Sequence, residues 1–167
     1  MDKIYSNEDI ETVKRGKRLL LGKLYMYVYD PKYKDTLPYY DILPLIVLTS
    51  FKPPYINGFN IHYIPFLNRL QFMKSVMQKL KNGKKLKYKD IKRAWQKAKL
   101  PERLVKYAYR TYLISHIRSN IKVFDYDDYY PIVKETSGKF KKLQDAAIFR
   151  DIHAKWKKDK LKLSKNR

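Results

Sequence analysis

Residues 22–64 read GKLYMYVYDPKYKDTLPYYDILPLIVLTSFKPPYINGFNIHYI, and three strands can be read out of them. In the first, Leu24, Met26 and Val28 alternate with Tyr25, Tyr27 and Tyr29. Successive side chains of a β-strand point to opposite faces. Gly22–Asp30 is therefore expected to carry an aliphatic face and a tyrosine face, with Pro31 ending it. Leu43–Ser50 is continuously apolar and partly β-branched, the pattern of a buried strand. Pro53-Pro54 predicts a rigid, extended connection. Tyr55–Ile64 reads as a third strand, with Phe59, Ile61 and Tyr63 on one side and Asn60 and His62 on the other.

Upstream, Ser6-Asn7-Glu8-Asp9 has the chemistry of a helix start. Ile10, Val13 and Leu20 are placed on one face of a short helix that Gly16 and Gly22 weaken and end. Downstream, Pro65 suits a first helical turn. Phe66, Leu70, Met73, Met77 and Leu80 follow at helical spacing as the inward stripe, and Asn82-Gly83 closes the helix. Tyr88–Lys99 is predicted as a second helix with Ile91, Trp95 and Ala98 inward. Pro101 opens a third, expected to run to His116 or Ile117, with Arg103, Lys106 and Arg110 on its outer face. Asn120–Phe124 and Ile132–Lys134 are read as strands. Asp125–Tyr130 is an acidic, aromatic turn. Lys141–Lys162 is a last amphipathic helix carrying Ile148, Phe149, Ile152 and Trp156.

These elements predict an α+β fold: a small, mainly antiparallel sheet or partial β-barrel packed against three to four helices. A chain of 167 residues suits one domain. That domain is placed at 1–150, with a strand-rich part at 23–64 and a helix-rich basic part at 65–150. Residues 151–167 are read as the end of the C-terminal basic helix and a frayed tail.

The charge is large and uneven. The chain holds 38 Lys+Arg against 16 Asp+Glu, a net +22. Residues 1–64 carry 9 basic and 7 acidic side chains, and residues 65–167 carry 29 and 9. A polyanion is expected on the second part, because such an excess repels itself unless a partner relieves it. DNA leads, since Lys and Arg displace the counterions condensed on phosphates. The densest run is Lys84–Lys99, with eight basic residues and the single acid Asp90. Lys85, Lys89, Lys92, Arg93, Lys97, Arg103, Lys106 and Arg110 are the candidate DNA contacts. Lysine outnumbers arginine, which points to phosphate contact without sequence-specific readout. The helix pair around Leu100-Pro101 has the outline of a helix-turn-helix, but its second helix is rich in tyrosines that read as buried.

Other chemistry is thin. There is no cysteine, which excludes disulfides and thiolate sites. His62, His116 and His153 lie on different elements without metal-ligand spacing, so no metal or cofactor is expected. The five glycines are too dispersed to cradle a nucleotide. Asp30, Asp35 and Asp41, or Asp125, Asp127 and Asp128, could serve a Mg²⁺-dependent nuclease, though turn caps and solvation explain these acids more simply. Tyr25, Tyr27 and Tyr29 would form a base-stacking platform if exposed. Aromatic strand faces are more often core, and core is the reading preferred here. The apolar run around Ile42–Leu48 falls far short of the ~20 residues of a membrane span, so no membrane association is expected. Met1-Asp2-Lys3 leads into a charged segment, so no signal peptide is expected.

Four blocks then acquire a wider meaning. They are Tyr29-Asp30-Pro31-Lys32 at a strand end, Leu37-Pro38-Tyr39-Tyr40-Asp41 with Pro44-Leu45, Gly58-Phe59-Asn60-Ile61-His62-Tyr63-Ile64-Pro65, and Tyr112-Leu113 with His116-Ile117-Arg118-Ser119. The pattern, over residues 23–134, resembles a family of small proteins of large contractile-tailed bacteriophages, some of whose members are labelled DNA end protectors. The resemblance implies a virion-associated or late phage protein and implies no catalytic residues. The expected function is non-enzymatic, non-sequence-specific DNA binding that protects or organises the end of the packaged genome. The protein would sit in the virion, and in the host cytoplasm during assembly. The rival readings are a neck or baseplate component that binds acidic phage structural proteins, and a metal-dependent nuclease.

Overall fold

The structure, a computed structural model, describes residues 12–13, 19–81, 87–99 and 106–165. In chain order its strands are β1 (Thr12–Val13), β2 (Leu24–Met26), β3 (Tyr40–Asp41), β4 (Leu45–Lys52), β5 (Tyr55–Asn60), β6 (Tyr109–Leu113), β7 (Ile121–Phe124) and β8 (Phe140–Lys141). Its longer helices are α1 (Phe66–Lys81) and α2 (Tyr88–Lys97) between β5 and β6, α3 (Tyr129–Glu135) between β7 and β8, and α4 (Asp145–Lys165) after β8. The main sheet runs β1-β7-β2-β4-β5-β6, antiparallel at every pairing, and β3 pairs with β8 in a second, two-stranded sheet. The fold is α+β as expected. Of the two sheet forms left open by the sequence, the open sheet is the one present, with β1 and β6 at its edges.

The alternation in the first strand has the predicted consequence. Leu24 shares one face with Leu45, Val47 and Phe59, and this face packs on Phe72 and Val76 of α1, Trp95 of α2, Val133 of α3 and Ile148 of α4. The other face carries Tyr25, Tyr27, Ile46, Leu48, Ile56 and Tyr112 in a second buried cluster. Tyr25 and Tyr27 are only 2% and 1% exposed. They are core, and no stacking platform exists there.

Several elements depart from expectation. Thr12–Val13 is a strand paired with Lys122 and Ile121, not part of a helix. The remainder of that predicted helix up to Arg18 lies outside the described residues. Pro53-Pro54 forms a tight hairpin turn with a cis peptide bond, and Lys52 pairs directly with Tyr55. The third strand stops at Asn60, because Ile61–Tyr63 turn into a 3-10 helix whose start is capped by the Asn60 side chain accepting from His62 N–H. Among the described side chains, the inward stripe of α1 is Arg69, Phe72, Met73 and Val76, while Phe66 is exposed and Leu70 only half-buried; the side chains of Met77 and Leu80 lie outside the described residues. Arg69 can face inward because its guanidinium donates to the carbonyls of Ile64 and Thr136, both at 2.8 Å. The predicted helix after Pro101 gives way to β6 at Tyr109, which pairs with Phe59 on β5. Ile132–Lys134, read as a strand, belongs to α3, whose Ile132 and Val133 are buried in the core. The last helix starts at Asp145 rather than Lys141, because Phe140–Lys141 pairs with β3.

Candidate nucleic-acid interface

Helix α2 holds the clearest charged surface. Positions 89, 92, 93 and 97 recur at helical spacing, so Lys89, Lys92, Arg93 and Lys97 share one exposed face. The opposite face fixes its orientation. Ile91 and Ala94 are buried, and the Trp95 ring stacks 5.3 Å from Phe59 and meets Phe72 edge-on at 5.2 Å. Asp90 is turned to the helix start, where its carboxylate accepts from Lys87 N–H at 3.0 Å. Among the described residues, no carboxylate forms an ion pair with these four cations. Four of the eight candidate contacts are thus gathered on one rigid face.

The other four separate. Lys85 and Arg103 lie outside the described residues. Lys106 pairs with Asp159 of α4 at 2.7 Å, and that carboxylate raises the lysine above its ordinary pKa. Arg110 is not on a helix surface. It sits on β6 opposite Gly58, with its guanidinium 4.2 Å above the Tyr63 ring. Its Nε is buried and finds no hydrogen-bond partner among the described residues.

Arg110 borders a cleft of about 540 Å³ between β6 and the loop Pro31–Asp41. The register makes it. Ile56 pairs with Tyr112 and Gly58 with Arg110, which puts Tyr112 and Arg110 on the tyrosine face of the sheet. Gly58 has no room for more: a Cβ there would lie 2.6 Å from the Val47 carbonyl oxygen. Tyr112 meets Tyr29 edge-on at 4.9 Å and Tyr27 at 5.7 Å. Across the cleft, the Tyr39 hydroxyl donates to Asp151 of α4 at 2.9 Å, and Lys155 binds the same carboxylate at 2.7 Å. Lys142 donates to the carbonyls of Lys34, Asp35 and Leu37, which ties down the loop that forms the far wall. Tyr33 and Tyr55 stand at the mouth, both exposed.

Behind the cleft lies a buried polar junction. Asp41, Asn60 and His62 are at most 4% exposed. His62 Nδ1 is 2.6 Å from Asp41 Oδ2, which also accepts from Asn60 Nδ2 at 3.2 Å. Asp41 Oδ1 accepts from the backbone N–H groups of Leu43 and Lys139. Asn60 Nδ2 also donates to the Tyr112 hydroxyl at 3.1 Å. This junction joins β3, β5 and β6 to the chain entering β8. Burial drives the Tyr112 and Tyr27 hydroxyls well above the ordinary tyrosine pKa, and pushes Tyr63 up to about 12. Asn60, at the end of β5, and His62, in the 3-10 turn after it, thus hold the sheet together from within the core. Of the acids considered for a nuclease, Asp41 is held in this junction, Asp125 pairs with Lys23, and Asp30 pairs with Lys34 and Arg118, its carboxyl lowered chiefly by the Lys34 hydrogen bond. Among the described residues, no three His, Asp or Glu side chains gather as metal ligands would.

The cleft was not found by sequence reasoning. Its tyrosines come from segments between residues 29 and 112 that have no common period, and only the pairing of β5 with β6 brings them together. The available signal was the total of 16 tyrosines, with Tyr39-Tyr40 inside the Leu37–Asp41 block.

An open antiparallel sheet with helices on one face, an outward cationic helix and a net charge of +22 define a basic α+β protein suited to a polyanionic partner. The chain belongs to the family of the phage T4 terminal DNA protecting protein, whose family model matches residues 5–156. The matched span includes α2, the cleft and the polar junction. No curated protein and no solved structure gives a match.

Proposed function

We propose that this protein binds DNA without catalysis and shields or organises the end of the packaged phage genome, holding the duplex by its phosphates. The observation that carries this is the α2 face. Lys89, Lys92, Arg93 and Lys97 are exposed together, held outward by Ile91, Ala94 and Trp95, and among the described residues none of them forms an ion pair with a carboxylate. Like charges at such spacing cost stability in water and are relieved by a polyanion. Lysines on a rigid helix offer point charges to phosphates and carry no base preference. Arg110 and Lys106 extend the contact, and Lys85 and Arg103 belong to the same proposal. The protein acts in the virion, and in the host cytoplasm while particles are assembled, where other phage structural proteins are further partners.

The test is digestion of a linear duplex by an exonuclease that starts from ends. The wild-type protein slows resection, and Lys92→Gln/Arg93→Gln/Lys97→Gln protects much less at equal concentration. Digestion at the same rate with and without wild-type protein would refute the proposal. Tight binding to an acidic phage structural protein, abolished by the same substitutions, would then assign the face to a neck or baseplate contact.

A further inference from the structure

The tyrosine cleft is separate from the α2 face, and its chemistry differs. Its volume of about 540 Å³ lies within the ~300–1,000 Å³ of small-molecule sites. Tyr29, Tyr39, Tyr63 and Tyr112 form buried walls, while Tyr33 and Tyr55 are 63% and 46% exposed at the mouth. Exposed flat rings offer what a nucleobase stacks on, since both surfaces leave water when they meet. Two cations stand among these rings. The Arg110 guanidinium rests on Tyr63, and Lys32 Nζ lies 5.3 Å over Tyr33. A guanidinium seated on a ring keeps its N–H edge for phosphate oxygens, and Arg110 Nε has no protein acceptor among the described residues. Among the described residues, the one acid in the lining is Asp41, and both its oxygens are already engaged. The cleft therefore offers stacking faces and phosphate donors without an uncommitted carboxylate.

From this chemistry we infer that the cleft takes the terminal nucleotide of a DNA strand, with its base stacked at the Tyr33–Tyr55 mouth and its phosphate toward Arg110 and Lys32. The inference rests on the DNA-end reading above. It adds the part of the protein that tells an end from the interior of a duplex. Phosphates on α2 cannot do so, because every phosphate along the duplex looks alike to a lysine. A nucleotide inside a duplex is stacked and paired on both sides. At a terminus, and above all in an unpaired overhang, it unstacks at small cost and can enter a pocket.

The experiment compares two probes of equal length and sequence. One is a duplex with unpaired overhangs, and the other has both ends closed by hairpins. Wild-type protein binds the open probe more tightly than the closed one. Tyr33→Ala/Tyr55→Leu binds the open probe about tenfold or more weakly than wild type and the closed probe as before. Both side chains are exposed, so its melting midpoint stays that of wild type. Lys32→Gln, at the cleft cation that takes no part in the α2 contact, also weakens binding to the open probe and leaves the closed probe unchanged. Equal wild-type affinity for the two probes, or an open-probe preference that survives in the tyrosine variant, overturns the cleft assignment and leaves the α2 reading standing. A wild type that binds neither probe overturns both.

Discussion

Asp41 is a carboxyl group taken out of water, and its surroundings show how that is tolerated. Burying such a group is costly unless donors replace the lost water. Here Leu43 N–H, Lys139 N–H, Asn60 Nδ2 and the His62 ring meet its two oxygens. Asp41→Ala would leave those groups unpaired in the interior, and should cost about 3–5 kcal/mol in denaturant unfolding. It should remove no catalytic activity. Metal-dependent cleavage of DNA by wild type that disappears in a folded Asp41→Ala variant would contradict this. The buried tyrosines make a second prediction. Burial raises the Tyr63 hydroxyl from the ordinary tyrosine value of 10.0 to about 12, and raises Tyr27 and Tyr112 in the same direction. The folded state therefore holds the phenolic proton more tightly than the unfolded chain. The associated stability is complete below pH 10 and is lost as pH rises through about 12. Each such tyrosine should lower unfolding free energy by ~1.4 kcal/mol per pH unit in that window. Tyrosinate absorbance from these rings should grow in step with the loss of near-ultraviolet circular dichroism.

Two helices serve different purposes at the scale of the element. Helix α1 covers the sheet, with Phe72 fully buried and 5.8 Å from the Phe59 ring. Phe72→Ala should cost ~3–5 kcal/mol, as buried aromatic truncations do. Leu70→Ala should cost less, because Leu70 is already partly in water. Helix α2 separates an apolar stripe from a charged one. Removing Lys92, Arg93 and Lys97 as charges, by substitution to Gln, takes no volume from the core. The thermal midpoint should stay the same or rise slightly as self-repulsion falls. A large drop in the midpoint of this variant, with DNA affinity intact, would make these residues structural. Both helices were visible as helices in the sequence, and α2 was visible with its correct faces. The inward face of α1 is turned from the expected one because Arg69 faces the interior, where the carbonyls of Ile64 and Thr136 make its position tolerable.

The excess of positive charge belongs to the whole molecule, and so does its salt dependence. If five to eight side chains meet phosphates, log affinity for duplex DNA should fall against log salt with a slope of roughly −4 to −7. The α2 face supplies four exposed cations toward that number. A slope shallower than about −2 would be incompatible with a phosphate-binding face of this size. The triple α2 variant should bring the slope closer to zero by up to about 3.

The sequence by itself determined the fold class, the two faces of the first strand, the orientation of α2 and the family. The first three follow from local periodicity and composition, which a single chain segment carries within itself, and the family follows from the resemblance of blocks such as Leu37–Asp41 and Gly58–Pro65. The tertiary structure decided the rest. Tyr109–Leu113 looked helical because its aromatic and aliphatic residues fit a period near 3.6, yet the free edge of β5 offered backbone hydrogen bonds that made it a strand. Ile132 and Val133 looked like strand residues, yet the place left for them was against α1 and the helical side of the core. The cleft depends on the same step: once β6 lies beside β5, Arg110 and Tyr112 face the Pro31–Asp41 loop across a gap that no sequence period records. Pairing between distant segments is set by which edges and surfaces remain unsatisfied after the local elements form, and that is a property of the assembled chain.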